Sequence, residues 1–293
     1  QGACFYVFHP VQERWIQIEE ADLRPGQRLL LESRQGGYSP ETGWSKSVSS
    51  PVVPLAADVD KAVAEAETHD ADPSTFRGYR QALAAHCREV HEKMQELLNN
   101  LANLQLAGFE RALLEAAAYH DWGKAHAVFQ QTLHNGPPPS AATLLAKAEA
   151  ARRHARRGFR HELAGAVGLL GAGRDFLSAY LTAAHHGKVR MNLRSLPDED
   201  RPEQPDRRYA RGIFEGEFLP AFSVPVASLA PVAETRLSLD CMELGSLEDG
   251  PSSWGAQAWK LLEQIGPFRL SFLEMLVRVA DLRASADPQE VLR

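Results

Sequence analysis

From Phe76 onward, apolar side chains recur at three- and four-residue intervals through Tyr79, Leu83, Val90, Met94 and the Leu97-Leu98 pair. That spacing lines one face of a helix and is wrong for a strand, whose faces alternate at every second residue. Residues 109–118 are Ala, Leu, Glu and Arg behind a single Phe, strong helix formers throughout. Further helices are expected over 140–157, 161–171, 174–186, 253–265 and 268–284, and Gly187 suits a helix C-cap. Asp72-Pro73, a cap followed by Pro at the first turn, marks where the helical region starts. The chain is therefore expected to be mainly α.

The first fifty residues follow another rule. Residues 4–8, 14–18 and 27–31 are short β-type runs, with Pro25-Gly26 and Gly36-Gly37 expected as the turns between them. So few short strands need something to pack on, which makes residues 1–55 a β-rich appendage. Residues 56–73 form an expected linker and 74–293 the helical domain. Within that domain residues 188–234 are rich in Pro and Arg and are read as a long loop: a lid, a binding segment or a partly disordered stretch. Gly165, Gly168, Gly171 and Gly173 are read as small residues on a packed helix, and Asp198-Glu199-Asp200 as a solvated loop.

Several function classes drop out. No P-loop sequence is present, so no nucleotide-driven motor lies in this chain. With 32 Lys and Arg against 38 Asp and Glu, the net charge is −6, and any nucleic-acid contact must be local. The three cysteines, Cys4, Cys87 and Cys241, lack disulfide or zinc-ribbon spacing, which fits a reducing, cytoplasmic setting. Neither a membrane span nor a signal peptide is visible.

The eleven histidines are grouped. His120-Asp121 closes the Ala-rich helix, His161 opens the next one, His185-His186 closes another, and His86 lies on the first long helix with His91 as its rival. Neighbours on a helix point about 100° apart, so a doublet cannot form the i, i+4 pair of a single-zinc protease. Doublets suit two ions, one for each member, and imidazole with carboxylate suits Mn²⁺, Fe²⁺, Co²⁺ or Ni²⁺. Asp281 sits inside the apolar run 268–280, where an acid is costly unless it is paired or holds a metal. Its alternative is an ion pair with Arg278 or Arg283.

The segment Tyr119-His120-Asp121-Trp122-Gly123-Lys124-Ala125-His126-Ala127-Val128-Phe129-Gln130, with Arg160-His161-Glu162 and His185-His186-Gly187-Lys188, resembles the HD nuclease domain of the CRISPR-associated nuclease-helicase of type I systems. The His-Asp-x-Gly-Lys core is common to HD-superfamily phosphohydrolases. The continuation through His126, Phe129 and Gln130 and the other two motifs point to the CRISPR branch. The similarity spans about residues 80 to 285. Arg24-Pro25-Gly26 and Gly36-Gly37 are similar to the region after the helicase in members that carry the HD domain last. A chain beginning at Gln1 is then expected to be the C-terminal part of a helicase-HD fusion.

The resemblance implies an HD-superfamily helical fold and a two-ion site. One ion would be held by His86, His120, Asp121 and Asp281, and a second by Asp121, His161, His185 and His186. The pair would activate a bridging water against a phosphodiester. Lys124 would meet a phosphate oxygen as a point charge, its alternative being an exposed Lys near a helix end. Asp240 is the other candidate for the last ligand, because the interval from His186 to Asp281 is wide. The implied substrate is single-stranded DNA, with a helicase domain of the same or a partner chain and the CRISPR surveillance complex as partners. Arg152, Arg153, Arg156, Arg157 and Arg160 before His161, with Lys188 and Arg190 after His186, could follow its backbone, the bland reading being solvated surface. Two other functions remain open: a phosphohydrolase of nucleotides or cyclic nucleotides, which would show a closed pocket, and a non-catalytic recruitment domain.

Overall fold

A computed structural model describes residues 4–9, 14–20, 29–31, 36–39, 43–45, 75–76, 78–104, 106–138, 143–149, 156–195, 199–242 and 253–292. The chain divides into two compact units, residues 1–62 and 63–293. The expected linker at 56–73, with Asp72-Pro73, lies outside the described residues.

In the first unit β1 (Phe5–His9) is the centre of a three-stranded antiparallel sheet, flanked by β2 (Arg14–Ile18) and β3 (Leu29–Leu31). Phe5 stands opposite Ile18 on one side and Leu31 on the other, and is buried. A separate hairpin pairs β4 (Gly37–Ser39) with β5 (Gly43–Ser45). Gly37 thus lies in a strand opposite Ser45, whereas the sequence placed it in a turn.

The second unit contains seven α-helices among its described residues. The first of them starts only at Leu83, later than the periodicity suggests. Phe76 bridges Ala148, and β6 (Gln81–Ala82) pairs with β7 (Leu145–Lys147), so Tyr79 belongs to no helix. The same pairing replaces the expected helix over 140–157 in its described part. Gln130 secures it: its side chain accepts from Leu145 N at 2.9 Å and donates to Leu145 O at 2.9 Å, supplying the hydrogen bonds of a missing strand.

Then follow α1 (Leu83–Asn100), α2 (Glu110–Tyr119), a 3-10 turn at Trp122–Ala125, and α3 (Ala127–His134). α4 (His161–Gly171), α5 (Phe176–Ala184), α6 (Trp254–Ile265) and α7 (Pro267–Ala286) come next. Their ends are chemically marked. His126 caps α3 by accepting from Val128 N, Ser253 caps α6, Pro267 opens α7, and Gly187, with φ of 73°, closes the turn after α5. α1 packs on α2 and α7, α5 on α2 and α4, and α4 on the 3-10 turn. Leu83, Val90, Leu113, Leu163, Leu181, Leu273 and Val277 meet in the core, each buried Leu or Val contributing about 1.5–3 kcal/mol.

The described residues of 188–234 are packed, in contrast to the expected irregular loop. β8 (Tyr209–Ala210) and β9 (Ile213–Phe214) form a hairpin, and β10 (Phe218–Leu219) pairs with β11 (Thr235–Arg236). Val189, Leu193, Ile213, Leu219, Phe222 and Val232 are buried in the main core. Glu199 is buried too, its Oε2 accepting from Gly212 N at 2.9 Å, so it is a fastening and not part of a solvated acidic loop. The glycines of α4 do make a packed face: Gly168 backs onto Trp122 and Leu219, and Gly171 onto Thr235. At the other end of the chain Glu89 Oε1 accepts from Gln289 N and Glu290 N, and Leu292 N donates to Arg80 O. The two edges of the helical unit are thereby sewn together.

Candidate metal centre

Five helices deliver their polar residues to one point. His86 comes from α1, His120 and Asp121 from the exit of α2, His161 from the first position of α4, His185 and His186 from the turn after α5, and Asp281 from α7. All but His186 are nearly excluded from solvent. Asp121 stands in the middle. Its Oδ1 lies 3.1 Å from His161 Nε2, and its Oδ2 lies 3.4 Å from both His86 Nε2 and His120 Nε2. His186 Nε2 is 3.1 Å from His161 Nε2, and the His185 ring lies 5.2 Å from that of His120. Asp281 Oδ1 lies 3.2 Å from His86 Nε2 and 3.8 Å from His120 Nε2, and accepts from Ser285 Oγ at 3.1 Å.

Two ligand groups result. Asp121, His161, His185 and His186 can each offer an atom within 4.8 Å of the others, and so can His86, His120 and Asp121. Asp281 stands beside the second group.

The closeness of α2's exit to α4 depends on Gly123. A Cβ there would fall 1.8 Å from His161 O and 2.7 Å from Gly165 N, so only glycine lets Asp121 and His161 meet.

The histidines are held in one tautomer by the helices that carry them. His120 Nδ1 lies 2.9 Å from Ala117 O and His185 Nδ1 lies 2.6 Å from Thr182 O. A carbonyl only accepts, so in both rings Nδ1 bears the hydrogen and Nε2 presents its lone pair to the centre. Both Nε2 atoms are buried with no hydrogen bond among the described residues, an arrangement that is costly unless a cation receives them.

Protonation states agree. Burial, reinforced by Lys147, lowers His86 to about 4, against the opposing pull of Asp281 and Asp121. Burial and the neighbouring imidazoles of His186, His120 and His161 hold His185 far below the usual histidine range. Burial alone would push Asp121 and Asp281 up. The Lys124 ammonium outweighs it at Asp121, and the Lys147 ammonium at Asp281, so both carboxyls are held well below the ordinary range. Neutral imidazoles beside ionised carboxylates are the ligand forms a divalent ion requires. The donor set, nitrogen and oxygen without thiolate, fits Mn²⁺, Fe²⁺, Co²⁺ or Ni²⁺.

Other candidates take other places. Lys124 is buried, its Nζ 2.8 Å from Asp121 Oδ2, which rules out the exposed alternative. Asp240 is exposed and paired with Arg208, and has no part in the centre. Arg278 and Arg283 are exposed, and Asp281 turns to His86 and Ser285 instead. His91 is buried outside both ligand groups. Arg152 and Arg153 lie outside the described residues. Arg156 forms a two-pronged ion pair with Glu217, at 2.8 and 2.6 Å, and lies over the Phe214 ring. Arg160 is buried, with Nη1 4.0 Å from Glu162. Arg157 and Lys188 are exposed, and Arg190 reaches Glu274 at 2.8 Å.

Sequence reasoning missed Lys147. It is fully buried on β7 with Nζ 3.9 Å from Asp281 Oδ1, in a segment read as helix. A charged residue inside the apolar run 144–148 was the available signal, the same one that singled out Asp281.

A family described as Cas3, HD domain, matches residues 75–241, a span that includes every residue of the centre except Asp281 and covers more than half of the chain. No curated protein and no solved structure matches the chain. A helical unit of this kind, with a buried His-Asp centre suited to divalent ions and the family's own span laid over it, makes the chain a member of the Cas3 HD-domain family.

Proposed function

We propose that this protein is a metal-dependent phosphodiesterase that cleaves single-stranded DNA in CRISPR interference, with Asp121 shared between two divalent transition-metal ions. The family supports a metal-dependent HD nuclease in CRISPR defence. The observation that carries the finer reading is the position of Asp121, whose two oxygens face different histidine groups. When bound, the ions supply Lewis acidity and an activated water for in-line attack at phosphorus.

The protein's own groups do the rest. His120 and His185 are oriented through their Nδ1 atoms before any ligand arrives, so little reorganisation is needed. Lys124, next to Asp121 Oδ2, is placed to turn its ammonium to a phosphate oxygen once a cation satisfies that carboxylate. His186 is the one ligand with appreciable exposure, and Lys188 beside it is open to solvent, so a strand would enter along this edge. A helicase domain would present that strand, and the surveillance complex would recruit both, in the cytoplasm.

A second reading, hydrolysis of nucleotides or cyclic nucleotides, gains from Arg156 and Arg160. Arg156 is committed to its two-pronged ion pair with Glu217 and Arg160 is buried, so neither is set out to follow a phosphate backbone. One experiment separates the two. Purified protein with Mn²⁺, Co²⁺, Ni²⁺ or Fe²⁺ is offered circular single-stranded DNA, linear duplex and a nucleotide panel, beside Asp121→Ala. Opening of the circle by the wild type alone is the expected result. Nucleotide turnover with intact DNA would replace the proposal with the second reading, and cleavage by Asp121→Ala would overturn the site.

A further inference from the structure

We propose that the outward face of α7 is a docking seam for an acidic amphipathic helix of a partner polypeptide. The proposal stands on surface features and is independent of the catalytic reading.

Along α7 the residues Phe268, Phe272, Met275, Val279 and Leu282 follow one another at intervals of four, three, four and three. That alternation places all five on one stripe, the spacing of a helix-pairing seam. The stripe touches the core only at its base, through Phe272 and Val279. Phe268 is 91 % exposed, Leu282 44 % and Met275 43 %, while Phe272 and Val279 are half-buried at its base. The inward face is fully used, with Leu270, Leu273, Leu276, Val277, Ala280 and Ala284 in the core. A contiguous apolar strip about 21 Å long on an otherwise polar surface is a mark of an interaction site.

Charge selects the occupant. Arg269, Arg278 and Arg283 are exposed and, by helical geometry, border the stripe on both sides. Both acidic residues of the helix, Glu274 and Asp281, are buried on the opposite side. The outward face therefore carries three positive charges and no negative one. No ion pair engages these arginines among the described residues. A second copy of the chain would set arginine against arginine along both borders, which disfavours self-pairing. An amphipathic helix with apolar residues at matching intervals and Asp or Glu on its flanks satisfies the stripe and its borders together.

The test uses the full chain and two labelled 18-residue peptides. Both carry Leu at alternating four- and three-residue intervals; one has Glu at the flanking positions and the other Lys. Fluorescence anisotropy should show the Glu peptide binding at least tenfold more tightly than the Lys peptide, with the margin shrinking at high salt. The triple variant Arg269→Glu, Arg278→Glu, Arg283→Glu, whose changes are all at the surface, should invert that preference. Met275→Asp should weaken both peptides. Equal binding of the two peptides, no binding of either, or a preference untouched by the triple variant would overturn the proposal. So would flotation with phosphatidylglycerol vesicles without peptide binding, which would make the stripe a membrane face, or a dimer in sedimentation lost in Met275→Asp.

Discussion

At the scale of single residues, Gly123 and Lys147 decide more than their size suggests. Gly123 permits a backbone crossing that no other residue allows, since its Cβ would overlap His161 O. Gly123→Ala should destabilise the protein by about 1–3 kcal/mol and separate the two ligand groups. Urea denaturation and metal titration would read the two effects. Lys147 offsets the charge of Asp281 in a fully buried setting. Lys147→Met should lower the melting temperature of metal-free protein, because removing one partner of a buried charge pair costs about 3–5 kcal/mol. Adding Mn²⁺ should restore much of the loss by giving Asp281 another cation, and a melting curve with and without Mn²⁺ measures both. His120-Asp121, His185-His186 and Asp281 were legible in the sequence because doublets at helix ends and an acid among apolar residues are local signals, whereas the single histidines His86 and His161 were singled out by the resemblance. Lys147 was not, because its relation to Asp281 exists only after β7 pairs with β6, a contact far away in sequence.

Among the elements, β1–β3 and most helices were read well, whereas α3 and the shortest strands of the second unit were not, for a physical reason. α2, α4, α6 and α7 announce themselves through helix-forming composition and periodicity, and α6 and α7 also through Ser253 and Pro267 at their starts. β6 and β7 are too short to show alternation, and Gln130 supplies the bonding that defines their neighbourhood. In the same way residues 188–234 hide their order in two-residue strands, and a polar hub keeps that region in place. Glu217 binds Arg156 in two-pronged fashion, accepts from Phe214 N at 2.9 Å and lies 3.4 Å from His126. Burial raises its carboxyl, but His126 and Arg156 prevail and lower it to about 2. With the folded pKa below the unfolded value, this stabilisation is complete above about 4.5 and fades as pH falls from there towards 2. Glu217→Gln should be less stable at pH 7 and lose less on acidification. Urea midpoints at pH 7, 4 and 3 would show it.

For the whole molecule, the centre joins five helices, so its occupancy is a property of the fold as much as of the chemistry. A ligand that binds only the folded form stabilises it by about 2.7 kcal/mol at a hundred times its dissociation constant. Divalent Mn²⁺, Co²⁺ or Ni²⁺ should raise the melting temperature of chelator-treated protein, and Asp121→Ala should abolish most of that rise. Calorimetry is the direct check. None of the helices among the described residues is long and apolar enough to cross a membrane.

The closure of the helical unit at Arg80 and Leu292, with Glu89 gripping Gln289 and Glu290, has a topological consequence. A unit whose first and last described stretches meet in one hydrogen-bonded seam is a loop in all but covalent bond. A circular permutant that links residue 292 to residue 75 through a short flexible spacer, and reopens the chain between α1 and α2, should keep the same helical arrangement. Force applied at residues 80 and 292 would load this seam before any helix of the core.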